Sequence, residues 1–135
     1  MQPIFDNLEL LLSGVHQGRQ KRAMQTYHEL IDQGILEVEP LTYNRGRSIP
    51  NQYFIVDEAQ NLTPHEIKTI LTRAGENTKI ILTGDPYQID NPYVDAASNG
   101  LTYVVERFKG EAIAGHISLI KGERSPLASI SANLL

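Results

Sequence analysis

Two adjacent carboxylates stand where an apolar stretch of the chain ends. Residues 53–56, YFIV, have the composition of a short strand, and Asp57 and Glu58 follow directly. A carboxylate in this position can hold a hydrated Mg²⁺, because magnesium keeps several waters and takes only one or two protein carboxylates. A neighbouring carboxylate can orient or deprotonate an attacking water. The alternative is structural, because acidic residues are also favoured ahead of a helix N-terminus.

A helix pattern follows the carboxylates and leads to a second strand. Thr63, Pro64 and Glu66 have the spacing of a capping box with proline at the first helical position, and Gly75 can end the helix. The apolar run KIIL at 79–82 comes next. Strand, helix and strand within about thirty residues is the length of a βαβ unit, whose right-handed crossover makes the two strands parallel.

Parallel strands end at the same edge of a sheet, and open α/β sheets bind ligands there. The residues TGDPYQ at 83–88 would therefore lie beside Asp57 and Glu58. They include Asp85 and Gln88, and a glutamine amide can sense a phosphate because it both donates and accepts hydrogen bonds. Gly-Asp-Pro alone is a common turn, so the prediction depends on the two stretches occurring in this order and at this spacing.

The other patterns predict two helices near the N-terminus, at about 4–15 and 19–33, with Gly34 ending the second. A short strand is predicted at 35–41, an amphipathic helix at 101–108 and a last strand at 116–120.

Composition restricts the class of protein. A chain of 135 residues with 41 % hydrophobic residues predicts one domain over 1–135, and its net charge of −4 gives no general attraction for nucleic acid. The absence of cysteine excludes disulfides and thiolate sites. Its apolar runs are far shorter than the roughly 20 residues that span a bilayer. We therefore expect a soluble, cytoplasmic protein without membrane contact.

The motifs carry a family resemblance. FIVDEAQN and IILTGDPYQID resemble the Walker B and glutamine-bearing motifs of superfamily 1 helicase-like ATPases. The longer run at 45–90 closely resembles the PhoH-like ATPase family, in the branch whose longer members place a PIN-type nuclease domain ahead of the ATPase, and the resemblance extends from MQPIFDN to KGERSPLA. It implies an α/β fold with a parallel-sheet P-loop NTPase core, similar to RecA and superfamily 1 helicases. It also implies ATP and Mg²⁺ as cofactors, ATP hydrolysis and action on RNA.

The resemblance also implies roles for individual residues. Asp57 would bind Mg²⁺ through water, Glu58 would be the catalytic carboxylate and Gln88 the phosphate sensor. Gly84 and Asp85 would lie against the nucleotide. Arg124, in KGERS, occupies a motif from which an arginine could reach the γ-phosphate, in its own or in a neighbouring subunit. The alternative for Arg124 is a surface arginine beside a glutamate.

One part of the family pattern is missing. The sequence contains no G-x-x-x-x-G-K-[ST], and its nearest approach, GEAIAGHI at 110–117, has His and Ile where Lys and Ser/Thr are required. We therefore expect the C-terminal portion of an ATPase domain, a partial domain lacking Walker A with its strand and helix. Such a chain should hydrolyse little ATP alone, and it should form a homo-oligomer or pair with the N-terminal half of the ATPase.

Two basic clusters could contact RNA phosphates, since Arg and Lys supply most such contacts. They are Arg19, Lys21 and Arg22 in GRQKR, and Arg45 and Arg47 in RGR. The alternative for each is a solvated surface. These clusters also leave open a second function, a non-catalytic module derived from such an ATPase that binds RNA or docks onto another subunit.

Overall fold

A computed structural model describes residues 2–14, 27–40, 48–120, 125, 127 and 130. The chain divides into two compact units, Met1–Arg45 and Gly46–Leu135. The single domain expected over 1–135 stays a prediction.

The described residues of the first unit form two helices. Helix α1 spans Gln2–Gly14 and helix α2 spans Tyr27–Asp32. Both were predicted, although residues 19–26 of the second predicted helix lie outside the described residues. The rings of Phe5 and Tyr27 pack with their centroids 5.1 Å apart. An aromatic contact therefore joins α1 to α2.

The predicted strand at 35–41 is wrong for residues 35–40, which form no strand. Gly34 ends α2 with a φ of 67°, and the backbone amides of Ile35 and Leu36 both donate to the carbonyl of Leu30. These bonds cap the last turn of α2. The first two residues of the predicted strand thus use their amides on the helix.

The second unit contains the predicted βαβ arrangement. Strand β1 spans Tyr53–Val56, helix α3 spans Pro64–Leu71 and strand β2 spans Lys79–Leu82. The strands are parallel, with Tyr53 opposite Lys79 and Val56 opposite Leu82. A short 3-10 helix, Ala59–Asn61, lies between β1 and α3. The two strand ends consequently lie side by side.

Helix α3 begins at the predicted capping box. The Thr63 hydroxyl accepts from the Glu66 amide at 3.2 Å, and the Glu66 carboxylate accepts from the Thr63 amide at 2.8 Å. Each side chain satisfies a backbone donor that the first turn leaves unpaired. The cap thus sets the point where the chain turns from the 3-10 helix into α3.

Helix α4, Gly100–Arg107, packs against α3 and completes the core. The buried core residues are Val56, Ala59, Ile67 and Ile70, and Phe54, Leu62, Ile80, Leu82, Leu101 and Val104 pack around them. Each buried aliphatic side chain of this kind contributes about 1.5–3 kcal/mol. The alternate residues Tyr53 and Ile55 are exposed, so the core lies on one face of the sheet.

The predicted strand at 116–120 is also wrong. These residues form no strand, and Ile117, Leu119 and Ile120 are 83 %, 89 % and 100 % exposed. A strand needs a neighbour for its backbone hydrogen bonds, and the described part of the chain pairs only β1 with β2, apart from a single bridge between Ile49 and Ala74. The alternating apolar pattern alone could not supply that neighbour.

Within the described ranges, the helices are too short or too polar to cross a lipid bilayer.

The close contact between α4 and the loop before α3 gives a stability prediction. The Gly100 amide donates to the Leu62 carbonyl at 2.6 Å, and a Cβ on Gly100 would lie 2.9 Å from that oxygen and 3.1 Å from the Thr63 carbonyl. These backbone carbonyl groups cannot move away from the added Cβ as the end of a flexible side chain could. We predict that Gly100→Ala lowers the free energy of unfolding by about 1–3 kcal/mol, measured by urea denaturation.

Gly115→Ala is the matched control, because a Cβ on Gly115 meets no atom within 4 Å. Equal unfolding midpoints for the two variants would contradict the proposed close contact at Gly100.

Candidate functional site

The two parallel strands end in a hydrogen-bonded junction. The Thr83 amide donates to the Val56 carbonyl at 2.9 Å, and the Ala59 amide donates to the Thr83 carbonyl at 2.9 Å. The Thr83 hydroxyl donates to Asp57 Oδ1 at 2.7 Å. Three bonds thus tie Thr83, the first residue after β2, to the last residue of β1 and to two residues that follow it. Thr83 was not predicted as a site residue. Its only signal in the sequence is its place at the end of a strand.

Asp57 is exposed at this junction with one carboxylate oxygen engaged. Its Oδ1 accepts from the Glu58 amide at 3.0 Å and from the Thr83 hydroxyl. Its Oδ2 accepts no hydrogen bond from the described residues. The two donors hold the carboxylate in one orientation and leave an oxygen facing solvent. This arrangement fits Mg²⁺ bound by a single carboxylate or through its waters.

The described residues contain no group of three His, Cys, Asp or Glu side chains that could hold a metal ion. A dedicated cage of several protein ligands is the kind of site that Ca²⁺ and Zn²⁺ use. The single oriented carboxylate of Asp57 suits a metal that keeps most of its own waters.

Glu58 has a left-handed backbone, with φ 53° and ψ 38°. This conformation costs a residue with a Cβ about 1–2 kcal/mol, and such outliers cluster at functional sites. It turns the chain sharply from β1 into the 3-10 helix, and the Glu58 side chain remains exposed. One of its carboxylate oxygens accepts a hydrogen bond from Gln60 Nε2 at 2.5 Å.

The loop after β2 forms a tight turn around Asp85. Its carboxylate accepts from the Tyr87 amide at 3.0 Å and from Gln88 Nε2 at 2.6 Å, and its carbonyl accepts from the Gln88 amide at 3.0 Å. The predicted phosphate sensor, Gln88, is exposed and is held by the predicted nucleotide-binding residue, Asp85. The roles predicted for both residues stay predictions.

Gly84 is a glycine because protein atoms leave no room for a side chain. A Cβ there would collide with Gln60 Oε1 and would lie 3.1 Å from Leu101 Cδ2 and 3.2 Å from the Ala59 amide nitrogen. The glycine thus permits the loop after β2 to lie against the 3-10 helix. Its predicted contact with nucleotide stays a prediction.

Gln60 and Asn61, which sequence analysis passed over, join the two loops. The Gln60 side chain is fully buried and contacts Glu58, Asp85 and Gln88. Asn61 Oδ1 accepts from the amides of residues 90 and 91 at 2.7 and 3.2 Å. The available signal was a pair of amide side chains two residues after Glu58, in a short loop.

The edge of the sheet is acidic. Residues 83–95 contain Asp85, Asp90 and Asp95 and no Lys or Arg. Hydrogen bonds from the Ser98 side chain and from the Ala97 and Ser98 amides hold the pKa of Asp95 below its usual range. Asp95 is therefore ionised at neutral pH. An acidic edge favours a cation over a bare anion.

Six predicted site residues lie outside the described residues: Arg19, Lys21, Arg22, Arg45, Arg47 and Arg124. The structure therefore brings together Asp57, Glu58, Gly84, Asp85 and Gln88, and the basic candidates stay predictions.

Comparison with known proteins confirms the resemblance found in the motifs. The family model for PhoH-like protein matches residues 1–130. The chain is 58 % identical over 135 residues to Protein PhoH2 of Bacillus subtilis strain 168, covering 100 % of this chain and 29 % of that protein. It is 37 % identical over 134 residues to Protein PhoH2 of Mycolicibacterium smegmatis, covering 99 % of this chain and 28 % of that protein.

A second Bacillus subtilis relative, named PhoH-like protein, is 40 % identical over 110 residues, covering 82 % of this chain and 31 % of that protein. The chain thus spans less than a third of the length of these relatives. Because the family model matches nearly all of its residues, the chain belongs to the PhoH-like protein family.

Proposed function

We propose that this chain supplies the metal-holding and water-activating part of a Mg²⁺-dependent ATP-hydrolysing site in a P-loop NTPase core of the RecA and superfamily 1 helicase type. One observation carries the proposal. At the ends of two parallel strands, an oriented and exposed Asp57 carboxylate lies beside Glu58, and the loop after β2 carries Gln88, whose side chain is hydrogen-bonded to Asp85. Family membership and the edge location of the site support it.

Each residue has a role that follows from its contacts. Asp57 would hold Mg²⁺ through its free oxygen, because Thr83 and the Glu58 amide already orient its other oxygen. Bound Mg²⁺ would neutralise charge on the transferred phosphoryl group. Glu58 would accept a hydrogen bond or proton from the attacking water. Gln88, fixed by Asp85, would donate to a phosphate oxygen.

The given sequence contains no P-loop motif, so we propose that another segment of the ATPase core supplies the phosphate cradle. Within the described residues β2 pairs with β1 alone, and a groove runs between β2 and α4. Its walls include Ile80, Ile81, Leu82, Leu101, Val105 and Phe108. We propose that the P-loop strand of the same ATPase core lies in this groove, where it would continue the parallel sheet and cover apolar surface.

The role of Glu58 can be tested in a hybrid protein in which this chain replaces the aligned 135 residues of Bacillus subtilis PhoH2. We predict that the hybrid hydrolyses ATP with Mg²⁺ and that Glu58→Gln lowers kcat by about 10²–10⁴-fold, the usual contribution of a general base. KM for ATP should change little, because Glu58 would act on the water. Phosphate release measures both constants.

Glu76→Gln is the control, since Glu76 lies before β2, at the opposite end of the strand from Thr83. We expect no turnover from the chain alone, because phosphoryl transfer depends on positioning and charge stabilisation by a complete site. A hybrid without turnover, or one that Glu58→Gln leaves unchanged, would contradict the proposal. Turnover by the chain alone that Glu58→Gln abolishes would contradict the need for a P-loop segment.

We also propose RNA as a partner, held by Arg45, Arg47 and the cluster at 19–22. The distribution of charge supports one set of residues for the metal and a different set for RNA. The edge that carries Asp57 and the loop at 83–95 is acidic, so RNA phosphates would find their counter-charges in the basic clusters. The family resemblance is the reason to expect RNA, and the basic clusters are the residues that could bind its phosphates.

Fluorescence anisotropy with a labelled single-stranded RNA tests this proposal. Each lost phosphate contact should reduce the slope of log K against log salt by about 0.7 for a single strand. We predict a reduction of about 1.4 for Arg45→Ala combined with Arg47→Ala, which is two contacts. Arg107→Ala, whose guanidinium lies over the Tyr103 ring, is the control.

RNA binding that the double substitution leaves unchanged would contradict the assignment. Salt-sensitive RNA binding by a hybrid that hydrolyses no ATP would favour the alternative function, a non-catalytic RNA-binding module.

A further inference from the structure

Gln60 is a buried side chain with all of its hydrogen-bonding groups directed at the candidate site. It is 0 % exposed. Its Nε2 donates to Glu58 Oε2 at 2.5 Å and to the Gln88 carbonyl at 2.9 Å, and its Oε1 accepts from the Asp85 amide at 3.2 Å. Two of these partners lie 25 and 28 residues away in the sequence. One amide thus connects the end of β1 to the loop after β2.

A buried amide needs a physical explanation, because a buried amide group without hydrogen bonds costs about 1–3 kcal/mol. An apolar side chain could fill the same space without that cost. Among the described residues, the other fully buried polar side chain is Asn99. Its bonds reach Asp95, Ala96 and Thr102, and they cap α4 locally. Two of the three bonds of Gln60 are not local, because they end on Asp85 and Gln88, and the third ends on the Glu58 carboxylate.

The surroundings of Gln60 are shaped to admit it. Gly84 has no side chain at the point where Gln60 Oε1 lies, so the loop after β2 approaches closely. The left-handed backbone of Glu58 turns its carboxylate back toward Gln60 Nε2. Both hydrogens of the Gln60 amide are used, one on each loop. The exposed Glu58 side chain is consequently tethered to a buried and satisfied group.

We propose that Gln60 is a positioning residue that holds the Glu58 carboxylate and the backbone of residues 85–88 in a fixed relation. This inference depends on the proposed function for its catalytic consequence, although the tether itself does not. With the tether in place, the water-orienting carboxylate and the phosphate-sensing loop form one rigid unit. Without it, Glu58 is an exposed side chain with free rotamers, and positioning of the attacking water is lost.

Two substitutions separate the acceptor and donor functions of Gln60. Gln60→Met removes both, whereas Gln60→Glu keeps an oxygen for the Asp85 amide and loses the donor to Glu58 and Gln88. Asn61→Ala is the matched control, because the Asn61 side chain holds the amides of Asp90 and Asn91, whereas its bond to the Glu58 carbonyl is made by the backbone amide, which alanine keeps.

The first measurement is amide hydrogen exchange by NMR on the 135-residue chain. We predict slow exchange of the Gln60 side-chain amide protons and of the Asp85 backbone amide in the unsubstituted chain. Gln60→Met should abolish protection at Asp85, and Asn61→Ala should instead reduce protection at Asp90 and Asn91. Fast exchange of the Gln60 side-chain amide in the unsubstituted chain, which requires no substituted protein to fold, would overturn the proposal.

The second measurement uses kinetics of the Bacillus subtilis hybrid. Gln60→Glu should lower kcat by about 10–100-fold with KM for ATP within about twofold, because displacement of a positioned group affects the chemical step. The same substitution added to Glu58→Gln should cause a smaller further loss, because the part of the effect that acts through the Glu58 carboxylate is already absent. Equal losses in both backgrounds would contradict positioning through Glu58.

The two measurements separate the tether from the function. Loss of Asp85 protection in Gln60→Met, together with unchanged kcat in Glu58→Gln, would retain the tether and reject the proposed function. Unchanged Asp85 protection in Gln60→Met would reject the tether whatever the kinetics show.

Discussion

The parallel pairing of β1 with β2 is the constraint on which the candidate site depends. Because Val56 lies opposite Leu82, the residues after both strands emerge side by side, and Thr83 can donate to Asp57. An antiparallel pair would place them at opposite ends of the sheet. The parallel arrangement in turn needs the crossover through α3, whose start is set by Thr63 and Glu66 and whose buried face is Ile67 and Ile70. Local capping and core packing thus decide where the carboxylates lie.

The side-chain amides of Gln60 and Asn61 hold the loops that follow the two strands. The core is small, and it lies on one face of a two-stranded sheet. The loops at the edge are held mainly by side-chain hydrogen bonds to backbone: Gln60 on Asp85 and Gln88, and Asn61 on Asp90 and Asn91. Satisfied polar groups of this kind specify one arrangement, because any other would leave a buried donor or acceptor unpaired. The left-handed backbone of Glu58 is tolerated within this network.

The sequence predicted those parts of the fold that local chemistry decides. The capping box at Thr63, the apolar stripe of α3 and the βαβ spacing were sufficient to predict the parallel pair and to place the residues that follow the two strands side by side. The strands predicted at 35–41 and 116–120 failed because strand formation needs a partner, and residue alternation does not reveal whether one is present. Gln60 was missed for a related reason. A glutamine in a polar loop resembles a surface residue in sequence. Its burial depends on the close approach of Gly84, which the sequence pattern does not reveal.

The proposed function requires a divalent cation to bind at Asp57, which is oriented at the junction of the two strands. Titration of the ¹⁵N-labelled chain with small amounts of Mn²⁺, a paramagnetic substitute for Mg²⁺, tests it most directly. The amide resonances of residues 57–59 and 83–85 should broaden before all others. Excess Mg²⁺ should reverse the broadening, and Asp57→Asn should remove it. Broadening centred on Asp90 or Asp95, or broadening at 57–59 that persists in Asp57→Asn, would contradict the account.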